Sequence, residues 1–238
     1  MQKKSILILT MARSGSNYLL ELIESTGEFR KFGEIFRNSG DSHSELASFL
    51  EQSDSEIRES SRSSKAELLS SLLQASVMKQ CPFAAKLFYY HARPDDELWK
   101  LLPKVRVLHL IRLNSLAVFV SRVLAERSGI WKAYGGDSCY DSSKIKVDRN
   151  EFIRWKAWRD SLISSARARI SGLDSLEIYY EDLTDEHRAS LEVRQAVGLN
   201  PDLERVLVKR QRSRSLREIV SNYNELEEFD VMKPHYPE

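Results

Sequence analysis

The run SILIL at residues 5–9 constrains the fold more than any other stretch of the chain. It is continuously apolar, where a half-exposed strand would alternate. That pattern belongs to a strand buried on both faces, and such strands occur in parallel sheets covered by helices on both sides. A helical repeat follows from about Ser16, with Leu19, Leu22, Ile23 and Thr26 on one side and Gly27 as a stop. Between strand and helix lies only the polar turn TMARSGS (10–16). Strand, tight turn and helix in this order make a cradle for an anion.

The rest of the chain repeats the theme. PFAAKLFYYH (82–91) reads as a second strand, VRVLHLI (105–111) as a third and SLEIYY (175–180) as a fourth. Asn114 or Ser115 can cap the helix LAVFVSRVLAE that follows the third strand. Asp148 can cap a long helix reaching about residue 171, with Phe152, Trp155, Arg159, Leu162, Ile163 and Ala166 along one side. Two short helices and a final one near 215–227 close the chain. The alternation predicts an α/β fold: three α/β/α layers around a mostly parallel, P-loop-like central sheet. The chain's 238 residues suit one such domain, 1–238. Residues 37–76 differ in character. They carry thirteen serines and two weakly amphipathic stretches, 44–51 and 65–78. A mobile helical lobe inserted at 37–80, outside the core, is the expectation.

In open parallel sheets, ligands bind beyond the C-terminal ends of the strands. Arg13, His91, Arg112 and Glu181 all fall there. In the first turn, helix N-terminal N–H groups point outward and unpaired. Gly15 permits a tight bend, Ser14, Ser16 and Asn17 offer further donors, and Arg13 adds a forked, permanent charge suited to phosphate or sulfate. A serine-capped helix beside a surface arginine is the competing explanation of the same residues. Basic and acidic residues number 36 and 35, so no global field favours nucleic acid as a partner and any anion site must be local.

An ATP-cleaving loop is a poor match. G-x-x-x-x-G-K-[ST] is absent, Gly15 is its only glycine, and no strand ends in the aspartate that would hold magnesium. No metal is expected. Cys81 and Cys139 have no metal-type spacing and point away from a disulfide framework. The N-terminal apolar run is too short for a secretory signal, and no run is long enough to span a bilayer. A cytoplasmic location, without membrane insertion, is the expectation.

A second anion segment sharpens this. In HLIRLNSLAVFVSRVLAERSGIW (109–131), Arg112 leaves the third strand and Ser121 lies nine residues on, within the next helix. Together with TMARSGSNYL (10–19), this segment resembles sulfotransferases that use 3'-phosphoadenosine 5'-phosphosulfate (PAPS). The spacing and LAERSGIW are closer to bacterial carbohydrate enzymes of the trehalose type than to aryl sulfotransferases. FGEIF (32–36), AAKLFYYH (84–91), YYEDL (179–183), VGLNP (197–201) and the basic run from Lys209 extend the likeness over most of the chain outside the serine-rich lobe. Two departures stand out. Arg13 replaces the loop lysine of the aryl enzymes, and RLNSL carries fewer charges than the usual second site.

The resemblance implies roles for particular residues. Arg13, Ser14, Gly15, Ser16 and Asn17 would bind the 5'-phosphosulfate. Arg112 and Ser121 would bind the 3'-phosphate, with Lys209 and Arg212 covering the 3'-phosphate or adenine. PAPS would be the donor, 3'-phosphoadenosine 5'-phosphate (PAP) the product, and a hydroxyl of a carbohydrate or other small molecule the acceptor. Glu34 matches the glutamate that acts as base in the carbohydrate enzymes. His91 is the second candidate base, since a histidine titrates near working pH. Lys86 would lie near the sulfuryl group if it faces inward, or it extends outward to solvent. Glu181 and Asp182 are expected to brace loops or cap a helix. Trp131, Trp155 and Trp158 are expected in the core or in the substrate wall. A non-catalytic nucleotide-binding or interaction protein on the same fold is the alternative, and a kinase stands third. The sequence does not decide between a monomer and a homo-oligomer.

Overall fold

The computed structural model describes residues 3–37, 42–131, 144–183 and 215–230. Lys209, Arg212, Cys139 and the two short helices expected before residue 215 lie outside the described residues.

Five strands form one parallel sheet: β1 (Ile6–Thr10), β2 (Arg30–Glu34), β3 (Phe83–Phe88), β4 (Arg106–Ile111) and β5 (Ser175–Tyr179), in the order β2-β3-β1-β4-β5. The first strand is central. The chain builds one side of it and then crosses to the other, so the reversal point that favours ligand binding lies at the C-terminal end of β1. The helices are α1 (Ser16–Glu24), α2 (Ser42–Leu50), α3 (Asp54–Ser63), α4 (Lys65–Met78), α5 (Ser115–Ser128), α6 (Arg149–Ile170), α7 (Tyr180–Leu183) and α8 (Leu216–Ile219).

Period-two alternation along β1 divides the core. Ile6 and Ile8 pack with Leu19, Leu20 and Ile23 of α1 and with Leu108, Leu110 and Ile178 on one face. Leu7 and Leu9 belong to the larger core on the other face, with Phe32, Leu87, Val107, Phe119, Phe152 and Ile163. The three expected layers are present. Asn114 caps α5 by accepting from the Ala117 N–H at 2.7 Å, and Asp148 caps α6 by accepting from Glu151 at 2.8 Å.

Three expectations need correction. The lobe is not peripheral to the core: Leu46, Ala47, Ile57, Leu68, Leu69 and Leu72 of α2–α4 are buried in the larger cluster. Several of its serines work at helix ends. Ser53 forms a capping box with Glu56 at the start of α3, and Ser64 caps α4. The last helix, expected over 215–227, is the single turn α8 followed by separate 3-10 turns at Tyr223–Glu225 and Glu227–Phe229. The strand β2 was not expected at all. RKFGE holds one large apolar residue, Phe32, among three charges, which is the composition of a sheet edge.

Candidate functional site

The turn after β1 is built on two left-handed residues. Gly15 has φ +87° and Arg13 has φ +71°. A left-handed conformation costs a non-glycine residue about 1–2 kcal/mol, so Arg13 must be held there. Its Nε donates to the hydroxyl of Ser121 at 2.9 Å and its Nη1 to the carbonyl of Trp131 at 2.5 Å. No side chain caps α1, so its first-turn N–H groups face the cleft uncapped. Gly15 is required for space as well as for its angle. A Cβ there would meet the Tyr180 ring at 2.2 and 2.5 Å. Ser14 and Ser16 are both buried beside it.

Lys86 lies on β3 and is 2% exposed. Its register neighbours are Ile8 on β1 and Glu34 on β2, which puts it on the α1 face of the sheet. There its Nζ donates to Asn17 Oδ1 at 2.7 Å and pairs with Glu34 Oε1 at 3.7 Å. Glu34 reaches this face because β2 is irregular: Lys31 pairs with Ala84 but Glu34 pairs with Lys86, one residue more than regular pairing allows. Without that extra residue in the register, alternation from Lys31 would turn Glu34 to the opposite face. Bulges re-aim side chains in this way near functional sites. Lys31 confirms the facing, since it bonds Glu21 of α1 at 2.9 Å. Of the two orientations open to Lys86, the inward one is found.

Arg13, Ser16, Asn17, Glu34 and Lys86 line one cleft of about 260 Å³, together with Ala12, Arg37, Phe88, Tyr90, His91 and Trp131. Tyr90 and Trp131 are 47% and 40% exposed and flank it as aromatic walls. Trp155, by contrast, is a core residue against Phe119 and Phe152. His91 follows β3 in a 3-10 turn, with its ring among Phe36, Phe88 and Tyr90. Burial, assisted by Lys65, Lys86 and Arg37, lowers its pKa to about 4. Its Nδ1 accepts the Phe88 N–H at 3.3 Å, which leaves the ring proton on Nε2. The expectation that His91 titrates near neutrality therefore fails, and as a neutral Nε2–H donor it is poorly set to accept a proton.

Arg13 links Arg112 and Ser121. Arg112 Nη1 donates to the Arg13 carbonyl at 3.2 Å, while its guanidinium lies 4.5 Å from the centroid of Tyr180. Glu181 braces the adjoining loop through its carboxylate, as expected of it. The Asn17–Lys86 bond, the packing of Tyr180 on Gly15 and the presence of Arg37 in the cleft are not apparent from the sequence. A lysine inside the apolar run AAKLF was the one available signal. Among the described residues, no cluster of His, Cys, Asp and Glu could hold a metal ion, and no helix is long and apolar enough to cross a membrane.

Comparison with solved structures finds the sulfotransferase domain from the curacin biosynthetic pathway, with a TM-score of 0.55 and 10% identity over 100% of this chain and 94% of that one. A sulfotransferase from Alicyclobacillus acidocaldarius aligns with a TM-score of 0.47 and 13% identity over 96% of this chain and 92% of that one. The sulfotransferase domain of the Synechococcus PCC 7002 olefin synthase gives 0.43 and 14%, over 94% and 84%. The curacin-pathway likeness establishes a shared fold and, at 10% identity, nothing about activity. The other two are too distant in shape to carry weight. No protein-family model and no curated protein matches the sequence.

Proposed function

We propose that this chain, built on a sulfotransferase fold, transfers a sulfuryl group from PAPS to a hydroxyl of a small-molecule acceptor, with a carbohydrate favoured. The observation that carries the reading is Lys86. A buried ammonium is costly unless something offsets it. Here Asn17 and Glu34 hold it at the floor of a cleft whose rim is the left-handed turn and the uncapped start of α1. Such a floor suits an anion above it. The turn fits a phosphosulfate, because N–H groups, Arg13 and Lys86 converge on one cleft.

A bound donor would supply an electrophilic sulfur, whose bond to the 5'-phosphate oxygen breaks as its bond to the acceptor oxygen forms. The residues of this chain have three tasks. Arg13 and the first-turn amides of α1 stabilise charge gathering on the departing phosphate. Lys86 holds the sulfuryl oxygens. Glu34, at 22% exposed and 3.7 Å from Lys86, takes the proton of the acceptor hydroxyl. On the acceptor side, Tyr90 and Trp131 offer ring faces that suit the C–H faces of a sugar. Arg112 and Ser121 are assigned to the 3'-phosphate, and the same assignment is kept for Lys209 and Arg212.

The test is transfer of labelled sulfate from PAPS to a panel of sugars and other alcohols, with products identified by mass spectrometry. Glu34→Gln is expected to cut the rate while PAP binding persists. Calorimetry that shows no binding of PAP would overturn the reading and favour a non-catalytic interaction protein.

A further inference from the structure

We propose that Arg159 is a positioning residue for nucleotide recognition, locking the main chain of Arg112 so that its guanidinium meets the 3'-phosphate. The inference rests on the nucleotide reading above. Arg159 lies on α6, is 4% exposed, and is not among the residues that line the cleft. Its Nη2 donates to the carbonyl of Arg112, and its Nη1 reaches Asp160 Oδ1 at 3.3 Å. Its Nε has no hydrogen-bond partner among the described residues. A buried arginine with an unused donor is an expensive way to satisfy one carbonyl. Packing alone would be served better by an apolar side chain, so the expense needs another reason.

The surroundings provide it. Three charged side chains from three parts of the chain hold the turn that carries Arg112. Arg159 takes the carbonyl of Arg112. Glu181 accepts from the N–H groups of Leu113 and Asn114 at 2.9 and 3.1 Å. Asp230 accepts from Asn114 Nδ2 at 2.6 Å, while Asn114 Oδ1 caps α5. The chain leaves β4 through this turn, where loops ordinarily rely on water. The product of the clamp is a guanidinium stacked on Tyr180 and bonded to the Arg13 carbonyl. Arg112 is thereby fixed to the same turn that cradles the 5' end. A nucleotide phosphorylated at both ends needs its two anion sites at a set separation, and the clamp sets it. Burial pushes the pKa of Arg159 down, while Asp160, Tyr89 and Glu181 oppose the shift. A guanidinium stays charged in such a place where an ammonium titrates more easily.

The experiment compares binding of PAP and of 5'-AMP, which lacks the 3'-phosphate, by calorimetry. The unaltered protein should prefer PAP. Arg159→Met should weaken PAP by roughly tenfold, about one lost charged hydrogen bond, and leave 5'-AMP within about twofold. Arg159→Lys should restore part of the preference, since an ammonium can still donate to the carbonyl. Equal loss for both ligands would mark a structural residue and overturn the inference. If Arg159→Met does not fold, Glu181→Gln decides on the same ratio: it removes one of the two accepted N–H bonds, and an unchanged preference for PAP overturns the proposal. Failure of the unaltered protein to prefer PAP would instead refute the nucleotide reading and the inference with it.

Discussion

Arg13 and Ser121, 108 residues apart, are joined by a hydrogen bond of 2.9 Å from Nε to Oγ. The bond ties the turn after β1 to the second turn of α5. It also helps to hold Arg13 in its left-handed conformation. Ser121→Ala should release the arginine. PAP affinity is then expected to fall by about tenfold, the equivalent of a lost hydrogen bond to a charged group. Calorimetry with PAP checks this, and an unchanged affinity would show that Arg13 keeps its place without Ser121.

Lys86→Met separates function from stability. The substitution removes a buried charge and leaves Glu34, which can be hydrated at 22% exposure. Removing one partner of a buried pair costs about 3–5 kcal/mol when the remaining charge stays buried, and solvent at Glu34 relieves part of that. Urea unfolding should therefore shift by less than about 3 kcal/mol. Sulfate transfer should drop by about a hundredfold or more, as when one fixed donor is removed from a charged transition state.

Leu69→Ala probes the serine-rich lobe. Leu69 on α4 is fully buried in the larger core. The cavity should cost about 2–5 kcal/mol. Thermal unfolding should remain a single transition at a lower midpoint. A separate early transition for the lobe, with the main midpoint unchanged, would mean that α2–α4 fold apart from the sheet.

Two histidines, His109 buried and His91 partly buried, set an acid limit. His109 lies between the Tyr89 hydroxyl, at 2.8 Å from Nε2, and Glu177, at 3.2 Å from Nδ1. Burial, only partly opposed by Glu177, holds its pKa down to about 4, the same level as His91. The unfolded chain takes up these protons near pH 6.5, the folded chain only near 4. Their contribution to stability is complete above pH 6.5 and is lost as the pH falls toward 4, by about 3 kcal/mol per ring at most. Partial burial raises the pKa of Glu177, but the hydrogen bonds from Arg167 and Tyr179 hold it near 2, so it stays charged through this window. Urea midpoints measured between pH 7 and 4 should fall accordingly, and His109→Gln should flatten the profile.

Four of the five strands and the helices that follow them were readable because they follow short-range rules. SILIL and VRVLHLI are buried on both faces and say so in their composition, and Asn114 and Asp148 sit where caps belong. What escaped is set by distant parts of the chain. The register slip that turns Glu34 toward Lys86 depends on how an edge strand meets β3. The low pKa of His91 depends on burial among three aromatic rings and on cations from α4, β3 and the β2 exit. Serines in the lobe suggest mobility by composition, yet Ser53 and Ser64 serve as caps while Ile57 between them and Leu68, Leu69 and Leu72 after them go to the core. No periodicity predicts that the Arg159 of a helical stripe will reach the main chain of Arg112.

The fit of Gly15 against Tyr180 has a consequence for how such a chain can change over generations. Any side chain at 15 would collide with the ring, so the glycine can be lost only if the tyrosine shrinks in the same lineage. A substitution at either site alters what the other tolerates. A library that randomises the turn alone should return glycine at 15 almost every time, whereas one that also varies position 180 should open routes closed to single mutants.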